Sequence, residues 1–270
     1  MNLLVFSSLY PNTAQPRHGI FIEQRVRRLH EAGIGVRVVA PVPWFPSTHP
    51  RFGNYARFAA APKRDTRHGI EVVYPRYPVL PKIGMTIAPA LMIAALASTV
   101  RRLAAEQRVD LIDAHYFYPD GVAAVYLAQQ LRLPTVVTAR GSDVNVIGGY
   151  RSPRRMLLWA ARNAAGVVTV SGALKERLVA LGAAPESIEV LANGVDLSLF
   201  QPQPDAAGRP ERLLSVGNLT RNKGHHLIVD ALSVLTDKHL VIVGDGPMRG
   251  ELERRVAARG VSDRVQFRGV

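Results

Sequence analysis

Short apolar runs alternate with helical patterns along almost the whole of the 270-residue chain. This alternation is typical of a parallel sheet covered by helices on both faces, because two parallel strands need a crossover between them. The chain is therefore predicted to be an α/β protein whose first part is a doubly wound parallel sheet. The predicted strands of that part are Asn2–Ser8, Gly35–Pro41, Glu71–Pro75, Asp110–His115, Thr135–Ala139, Gly166–Ser171 and Ile188–Asn193.

Helical patterns fill the intervals between these strands. In the stretch IFIEQRVRRLHEAG, Ile22 and Val26 share one apolar face, and Gly33 supplies a stop signal. In the stretch SGALKERLVALG, Ser171 is the predicted N-cap and Gly182 the predicted C-cap. These patterns predict the crossover helices that a doubly wound sheet requires.

A segment rich in proline, glycine and alanine interrupts the alternation once and is typical of an interdomain linker. We predict an N-terminal Rossmann-like domain of residues 1–200, a linker of residues 201–211 and a second Rossmann-like domain from residue 212 to residue 270. Three strands alternate with two helical patterns in the second domain, and three strands make a poor independent sheet. The second domain is therefore expected to be incomplete.

Two proline-rich stretches, PVPWFPSTHP and YPRYPVLPKIG, are predicted to be surface excursions, because proline breaks helices and central strands. They carry Trp44, Phe45, Tyr74 and Tyr77 near several arginines. The most apolar window, Met85–Val100, contains a proline and is shorter than the roughly 20 residues of a membrane-spanning helix. It is predicted to be a buried or interfacial helix.

The chain carries 34 lysines and arginines against 21 aspartates and glutamates, a net charge of +13. Such a field attracts nucleic acids, anionic lipids or phosphorylated small molecules. No nucleic-acid recognition motif accompanies the charge, so nucleic acid is not expected as a partner. Cysteine is absent, which excludes disulfides and cysteine-ligated metals. The first residues fit a strand better than a signal peptide, and a cytoplasmic protein in peripheral contact with the anionic inner face of the plasma membrane is expected.

The stretch RLLSVGNLTRNKGHHLIVDAL, residues 212–232, predicts a buried strand, a polar turn and an amphipathic helix. Arg221 and Lys223 lie where this helix is about to begin. Helix N-termini expose unpaired N–H groups and a partial positive charge, so the turn is a candidate seat for a phosphate. A solvated surface loop is the alternative.

The motif order resembles the family 4 (group 1) retaining glycosyltransferases, which have the GT-B fold of two facing Rossmann-like domains. The resemblance implies transfer of a sugar from a UDP- or GDP-linked sugar to a glycan or lipid-linked acceptor, with retention, without a metal or other cofactor. It also implies a donor on the second domain and an acceptor on the first. The matching stretches are PRHGIFIEQ, DAHYFYPDG, TARGSDVN, VSGALKERL, LANGVDLSLF, VGNLTRNKG and IVGDGPMRGELE.

On the donor side, Lys223 matches the lysine that holds the donor diphosphate in this family. Asn218 stands where the family usually has a second cation, and Arg221 is expected to substitute for it from the neighbouring turn. Side chains and backbone dipoles must stabilise the leaving diphosphate where no metal does so. The implied residues are Gly217, Asn218, Arg221, Lys223 and Gly19 for the diphosphate, and Gly244, Asp245 and Gly246 for the nucleotide.

On the other side, the resemblance implies that His115 contacts the donor sugar at the reaction centre. The histidine follows a predicted strand, at the edge where open α/β sheets place ligands. A histidine packed at the sheet edge is the alternative. Asp143 is expected to bind the acceptor or order the cleft, against an alternative role as a cap, and Arg140 stands where a histidine is common. The candidate acceptor or cleft residues are His18, Thr138, Arg140 and Asp143.

Members of the family carry two glutamates seven residues apart further downstream, and this chain ends before that point. The chain is therefore expected to be truncated within the second domain and to have weak or no activity as it stands. A nucleotide-sugar epimerase of the same fold and a non-catalytic binding fragment are the alternatives. Product analysis by NMR would separate an epimerase from a transferase.

Overall fold

The computed structural model describes residues 1–79, 84–201 and 211–269. It divides the chain into two compact units, Met1–Val195 and Asp196–Val270. The predicted boundary after residue 200 lies near this division. The predicted linker, residues 201–211, falls almost wholly outside the described residues, as does part of the second proline-rich stretch.

The first unit contains an eight-stranded sheet and a separate pair of short strands. The strand order is β10-β9-β8-β7-β1-β2-β5-β4, and all neighbours are parallel except β4 and β5. Every strand predicted for this part of the chain is present. The strands are β1 (Asn2–Phe6), β2 (Gly35–Val39), β3 (Val42–Pro43), β4 (Arg64–Arg67), β5 (Ile70–Val73), β6 (Arg76–Tyr77), β7 (Leu111–His115), β8 (Thr135–Ala139), β9 (Gly166–Thr169) and β10 (Ile188–Val190).

Helices cover both faces of this sheet. Successive residues of a strand point to opposite faces, and accordingly Leu4 and Phe6 join one hydrophobic core while Val5 joins another. The Ser171 hydroxyl accepts a hydrogen bond from the Leu174 N–H at 3.3 Å, as predicted for an N-cap. The helices are α1 (Ile20–Glu31), α2 (Asn54–Ala60), α3 (Gly84–Glu106), α4 (Val122–Leu131), α5 (Ser142–Asn145), α6 (Arg151–Asn163) and α7 (Gly172–Ala180).

Two predictions about the first unit need correction. The proline-rich stretches are not wholly surface excursions, because Val42–Pro43 and Arg76–Tyr77 pair in parallel as β3 and β6. Tyr74 and Tyr77 are buried, while Trp44 is exposed. Proline is tolerated here because these strands form a separate two-stranded ladder outside the main sheet.

The apolar helix α3 is longer than predicted, because it continues through Arg101–Glu106. Of the helices in the described residues, it is the one whose length and apolar composition would allow it to cross a membrane. Met92, Leu96 and Val100 lie on one face of it and are buried in the larger core. These side chains therefore fasten α3 to the first unit.

The second unit is a three-stranded parallel sheet in the order β11-β12-β13, with two crossover helices. Its core contains Leu219, Val229, Ile242 and Leu252. Each element was predicted from the alternation of apolar runs and helical patterns, but the prediction that the strand of residues 212–216 is buried is wrong, because Leu214 and Val216 are exposed. The elements are β11 (Arg212–Val216), α8 (His225–Leu232), β12 (His239–Val243), α9 (Arg249–Ala258) and β13 (Val265–Arg268).

Candidate functional site

His115 lies at the carboxyl end of β7, opposite Thr138 of β8, and its side chain is fully buried. The guanidinium of Arg140 donates from Nη2 to His115 Nδ1 at 2.9 Å. An arginine can only donate, so Nδ1 must accept, and the proton of the neutral ring resides on Nε2. Burial, reinforced by the charges of Arg140 and Arg25 and opposed by Asp113, lowers the pKa of His115.

Asp113, two residues before His115 on the same face of β7, was not predicted as a site residue. Its Oδ2 lies 3.4 Å from His115 Nε2 and 3.7 Å from Nε of Arg25, which projects from α1. Burial acts to raise the pKa of Asp113, but His115, Arg25 and Arg140 together outweigh it and hold the pKa below its ordinary value. The alternation of side chains along a strand could have identified this pair.

Arg140 is packed on three sides. Its Nη1 donates to Asn193 Oδ1 at 2.7 Å, and its guanidinium carbon lies 5.3 Å from the ring centroid of Phe21. Burial, followed by the charge of Arg25, lowers the pKa of Arg140 to about 10. The arginine therefore covers the imidazole of His115.

Asp143 is fully buried at the start of α5. Its carboxylate accepts hydrogen bonds from the backbone N–H groups of Phe117 at 2.6 Å, Gly141 at 2.7 Å and Arg140 at 3.1 Å. Burial raises its pKa, against the effect of these hydrogen bonds. The carboxylate thus joins the loops after β7 and β8, an arrangement that orders the sheet edge.

Asp120 is a second buried carboxylate that sequence reasoning missed. Its Oδ2 accepts hydrogen bonds from the N–H of Ser8 at 2.6 Å and from the Ser8 hydroxyl at 2.8 Å. Burial, opposed by these bonds and reinforced by Asp143, raises the pKa of Asp120 to about 7. The carboxyl group ties the loop after β7 to the loop after β1.

Gly19 closes the loop after β1 and has a left-handed backbone, with φ of +73°. A Cβ at this position would lie 2.2 Å from the carbonyl oxygen of Leu9. The glycine is thus required by a close approach within the protein itself. Its neighbour His18 is half-buried, and burial lowers its pKa against the effect of the Ser8 carbonyl.

Thr138 is buried at the end of β8. Its backbone carbonyl accepts a hydrogen bond from the N–H of Tyr116 at 3.0 Å. Its side-chain hydroxyl is buried and has no hydrogen-bond partner among the described residues. The first unit therefore brings His18, His115, Thr138, Arg140 and Asp143 to one edge of the sheet.

In the second unit, the turn after β11 is locked against the turn after β12. A Cβ on Gly244 would lie 2.0 Å from the carbonyl oxygen of Gly217, and one on Gly246 would lie 2.6 Å from that of Leu219. The Leu219 N–H donates to the Asp245 carbonyl at 2.9 Å. The two predicted glycine turns are therefore in direct backbone contact.

His225, which sequence reasoning also missed, supports this corner from the first turn of α8. Its Nε2 lies 3.3 Å from the Asn218 carbonyl, which can only accept, so Nε2 carries the proton. Its Nδ1 then accepts a hydrogen bond from the Ser215 hydroxyl at 2.8 Å. The buried imidazole thus links the end of β11 to the turn that follows it.

Arg221 and Lys223 form a short turn directly before α8 and are both exposed. Neither side chain forms an ion pair with any residue that the structure describes. Asn218 is exposed beside them, and Asp245 lies across the corner with Oδ1 3.5 Å from Nη1 of Arg249. The corner can offer two exposed cations and a helix N-terminus to an anion.

Both parts of the chain match models of known protein families. The model of Glycosyltransferase Family 4 matches residues 19–199, and the model of Glycosyl transferases group 1 matches residues 199–269. The chain is 31% identical to TuaC of Bacillus subtilis, a glycosyltransferase assigned to teichuronic acid biosynthesis, over 94% of this chain and 68% of TuaC.

Solved structures agree on the fold. Anabaena HepE, crystallised with UDP, matches with a TM-score of 0.70 at 20% identity, over 100% of this chain and 69% of HepE. The UDP-GlcNAc 2-epimerase of Methanocaldococcus jannaschii matches with a TM-score of 0.53 at 9% identity, over 100% of this chain and 73% of the epimerase. These likenesses show a GT-B fold, which transferases and epimerases share.

The fold alone does not distinguish a transferase from an epimerase. The family models do, because both describe glycosyltransferases and together they match both units. The motifs quoted from the sequence lie within the residues that the two models match, except that PRHGIFIEQ begins at Pro16, just before the first range. The chain belongs to glycosyltransferase family 4.

Proposed function

We propose that this glycosyltransferase moves a sugar from a UDP- or GDP-linked donor to a glycan or lipid-linked acceptor in the synthesis of cell-envelope polysaccharide, with retention and without a metal. The donor diphosphate binds at the corner formed by Gly217, Asn218, Arg221 and Lys223, and the nucleotide binds at the turn of residues 244–246. The acceptor binds to the first unit. The name of TuaC supports the polysaccharide assignment.

The observation that carries this proposal is the pair of exposed cations at a corner whose two turns are in direct backbone contact. Among the described residues, no carboxylate forms an ion pair with Arg221 or Lys223, and the N-terminus of α8 adds a partial positive charge. A diphosphate leaving group gains negative charge as its bond to the sugar breaks, so cations placed beforehand stabilise the transition state. His115 is buried beneath Arg140, so a contact with the donor sugar requires Arg140 to move aside.

Calorimetric titration of the chain with UDP and GDP tests the donor site. We expect one of the two nucleotides to bind, and the affinity to fall in a Lys223→Gln variant but not in a Lys238→Gln variant. Absence of binding by both nucleotides would contradict the proposal. NMR analysis of products formed from the matching sugar nucleotide then distinguishes a retained glycosidic bond from an epimerised sugar.

We also propose peripheral contact with an anionic membrane at the cytoplasmic face, through an aromatic surface formed by Trp44, Phe45, Phe52, Tyr55 and Phe58. The ring centroids of Phe45 and Phe52 are 5.1 Å apart, and those of Phe45 and Tyr55 are 5.2 Å apart. Trp44 is 58% exposed and Tyr55 is 49% exposed. Exposed aromatic rings favour the headgroup region of a bilayer.

Arginines flank this aromatic surface. The guanidinium carbon of Arg51 lies 4.6 Å from the ring centroid of Phe52, and Arg57 is exposed on α2. Basic side chains beside inserted aromatic rings attract anionic lipids. This surface is therefore suited to phosphatidylglycerol-containing membranes.

Vesicle sedimentation tests the membrane contact. The chain should sediment with vesicles that contain phosphatidylglycerol and not with pure phosphatidylcholine vesicles. A Trp44→Ala/Tyr55→Ala variant should lose this binding, while Tyr126→Ala, which changes an exposed tyrosine elsewhere, should retain it. Equal sedimentation with both vesicles would reject the contact.

A further inference from the structure

Two arginines of the first unit converge on the buried Asp113–His115 pair. Arg25 reaches Asp113 from α1, and Arg140 reaches His115 from the loop after β8. The Nε–H group of Arg140 is buried and has no hydrogen-bond acceptor among the described residues, and the buried Nε–H group of Arg25 lies 3.7 Å from Asp113 Oδ2, too far for a hydrogen bond. A buried donor without an acceptor is unfavourable, so this arrangement suits a ligand that brings an acceptor.

Two guanidinium groups meet at this point. Asp113 acts on both of them, and the charge of Asp143, whose carboxylate is turned towards backbone N–H groups, also acts on Arg140. Burial and the charge of Arg25 make the charged form of Arg140 less favourable than it is in water. An anion bound between the two arginines would relieve this repulsion.

The imidazole of His115 is not the group that a ligand meets first. His115 is fully buried, and Arg140 lies over it, half-buried against Phe21 and Asn193. A molecule that approaches this edge of the sheet therefore contacts a guanidinium group before it contacts the imidazole. Guanidinium N–H groups match carboxylate and phosphate oxygens in pairs.

We propose that Arg25 and Arg140 bind an anionic group of the acceptor, a carboxylate or a phosphate. The inference rests on the proposed function, in which the first unit holds the acceptor. The diphosphate of the donor has the same oxyanion chemistry. The test therefore has to separate an acceptor anion from a donor anion.

Titration of the whole chain with sodium glucuronate and with inorganic phosphate, followed by ¹⁵N NMR of the arginine Nε–H signals, measures this site. Glucose is the neutral control for glucuronate. At least one of the two anions should shift the Arg25 and Arg140 signals, and glucose should not. Arg140→Gln should weaken anion binding by about tenfold or more.

Arg25→Gln provides a second variant, because the Arg25 side chain is one-third exposed and its replacement disturbs less of the core. It should also weaken anion binding. The matched control is Arg162→Gln, an exposed arginine in the last turn of α6, which should bind the anions as the unchanged chain does.

The proposal is overturned if neither anion binds, if glucose binds as well as glucuronate, or if Arg140→Gln and Arg162→Gln behave alike. Displacement of the bound anion by UDP also overturns it, because the occupant would then be the donor diphosphate. Anion binding that persists in the Lys223→Gln variant supports it. Failure of the proposed function is seen separately, as an absence of UDP and GDP binding.

Discussion

The two sheets differ in the charged side chains at the carboxyl ends of their strands, which are buried aspartates in the first sheet and exposed cations in the second. In the first unit, Asp113, Asp120 and Asp143 are buried, and each carboxylate faces other groups of the protein. In the second unit, Arg221 and Lys223 are exposed and pair with no described residue. The first edge is thus built mainly by side-chain interactions that set its shape, and the second leaves its cations free for a ligand.

This difference predicts different consequences of mutation. Changes to the buried groups of the first edge should lower the free energy of unfolding, because they leave buried polar groups without partners. Changes to the exposed cations of the second edge should alter ligand affinity with little effect on stability.

Asp143→Ala should lower the free energy of unfolding of the first unit by about 3–5 kcal/mol, because three backbone N–H groups lose their acceptor. Urea denaturation followed by circular dichroism measures this change. The control Glu186→Ala, at an exposed position, should change it by less than about 0.5 kcal/mol. If the two variants are equally stable, the Asp143 carboxylate does not hold the loops together.

Asp120 should make stability depend on pH. Its pKa is about 7 in the folded protein against an ordinary value of 3.8, so the folded state binds the proton more tightly between these values. The contribution of this group to stability is therefore present at about pH 4 and is lost as the pH rises through about 7.

Asp120→Asn should be more stable than the unchanged chain above pH 7, by about 2–4 kcal/mol, because the amide oxygen keeps both Ser8 hydrogen bonds without a buried charge. Urea denaturation from pH 5 to pH 8 measures the difference between the two proteins. A difference that does not grow with pH would mean that Asp120 is ionised throughout this range.

Lys223→Gln should weaken nucleotide binding by about tenfold to a hundredfold, because one charge-assisted contact with the diphosphate is lost. Calorimetry measures the affinity, and a thermal melt should show an unchanged midpoint. Lys238→Gln removes a lysine that pairs with Asp237 and should bind normally. A clearly lower melting midpoint for the Lys223→Gln variant would instead assign Lys223 a structural role.

Gly244→Ala should destabilise the second unit by about 1–3 kcal/mol, because its φ of +143° suits glycine and the new Cβ meets the Gly217 carbonyl. Gly250→Ala is the matched control, since the nearest atom to its new Cβ is a flexible arginine nitrogen 3.6 Å away. Thermal unfolding of both variants measures the contrast, and equal midpoints would show that the two turns can separate without cost.

Most of the fold was predictable because strands and helices leave local patterns. Each strand predicted from an apolar run is present, and β8 begins and ends at the predicted residues, Thr135 and Ala139. The edge strand β4, with the sequence RDTR, was missed because it has no apolar alternation. The burial of Tyr74 was also missed, because its hydroxyl donates to the Pro11 carbonyl, a partner 63 residues away.

The candidate site was predictable in part. Residues at the ends of predicted strands, such as His115 and Thr138, were identified, since parallel strands bring their carboxyl ends to one edge. The supporting groups were not: Arg25 lies on a helix face, and Asp120 faces Ser8 across 112 residues of chain. No local pattern distinguishes such a residue from a surface one.

The sequence by itself determined where the strands, the helices and the family motifs lie along the chain, because periodicity and glycine placement are local properties. Only the tertiary structure decided which charges face one another. Register and helix packing set the distances between Arg140 and His115, between Arg25 and Asp113, and between Gly217 and Gly244. Electrostatic and steric energies depend on those distances, so the chemistry of each edge emerges only when the strands pair.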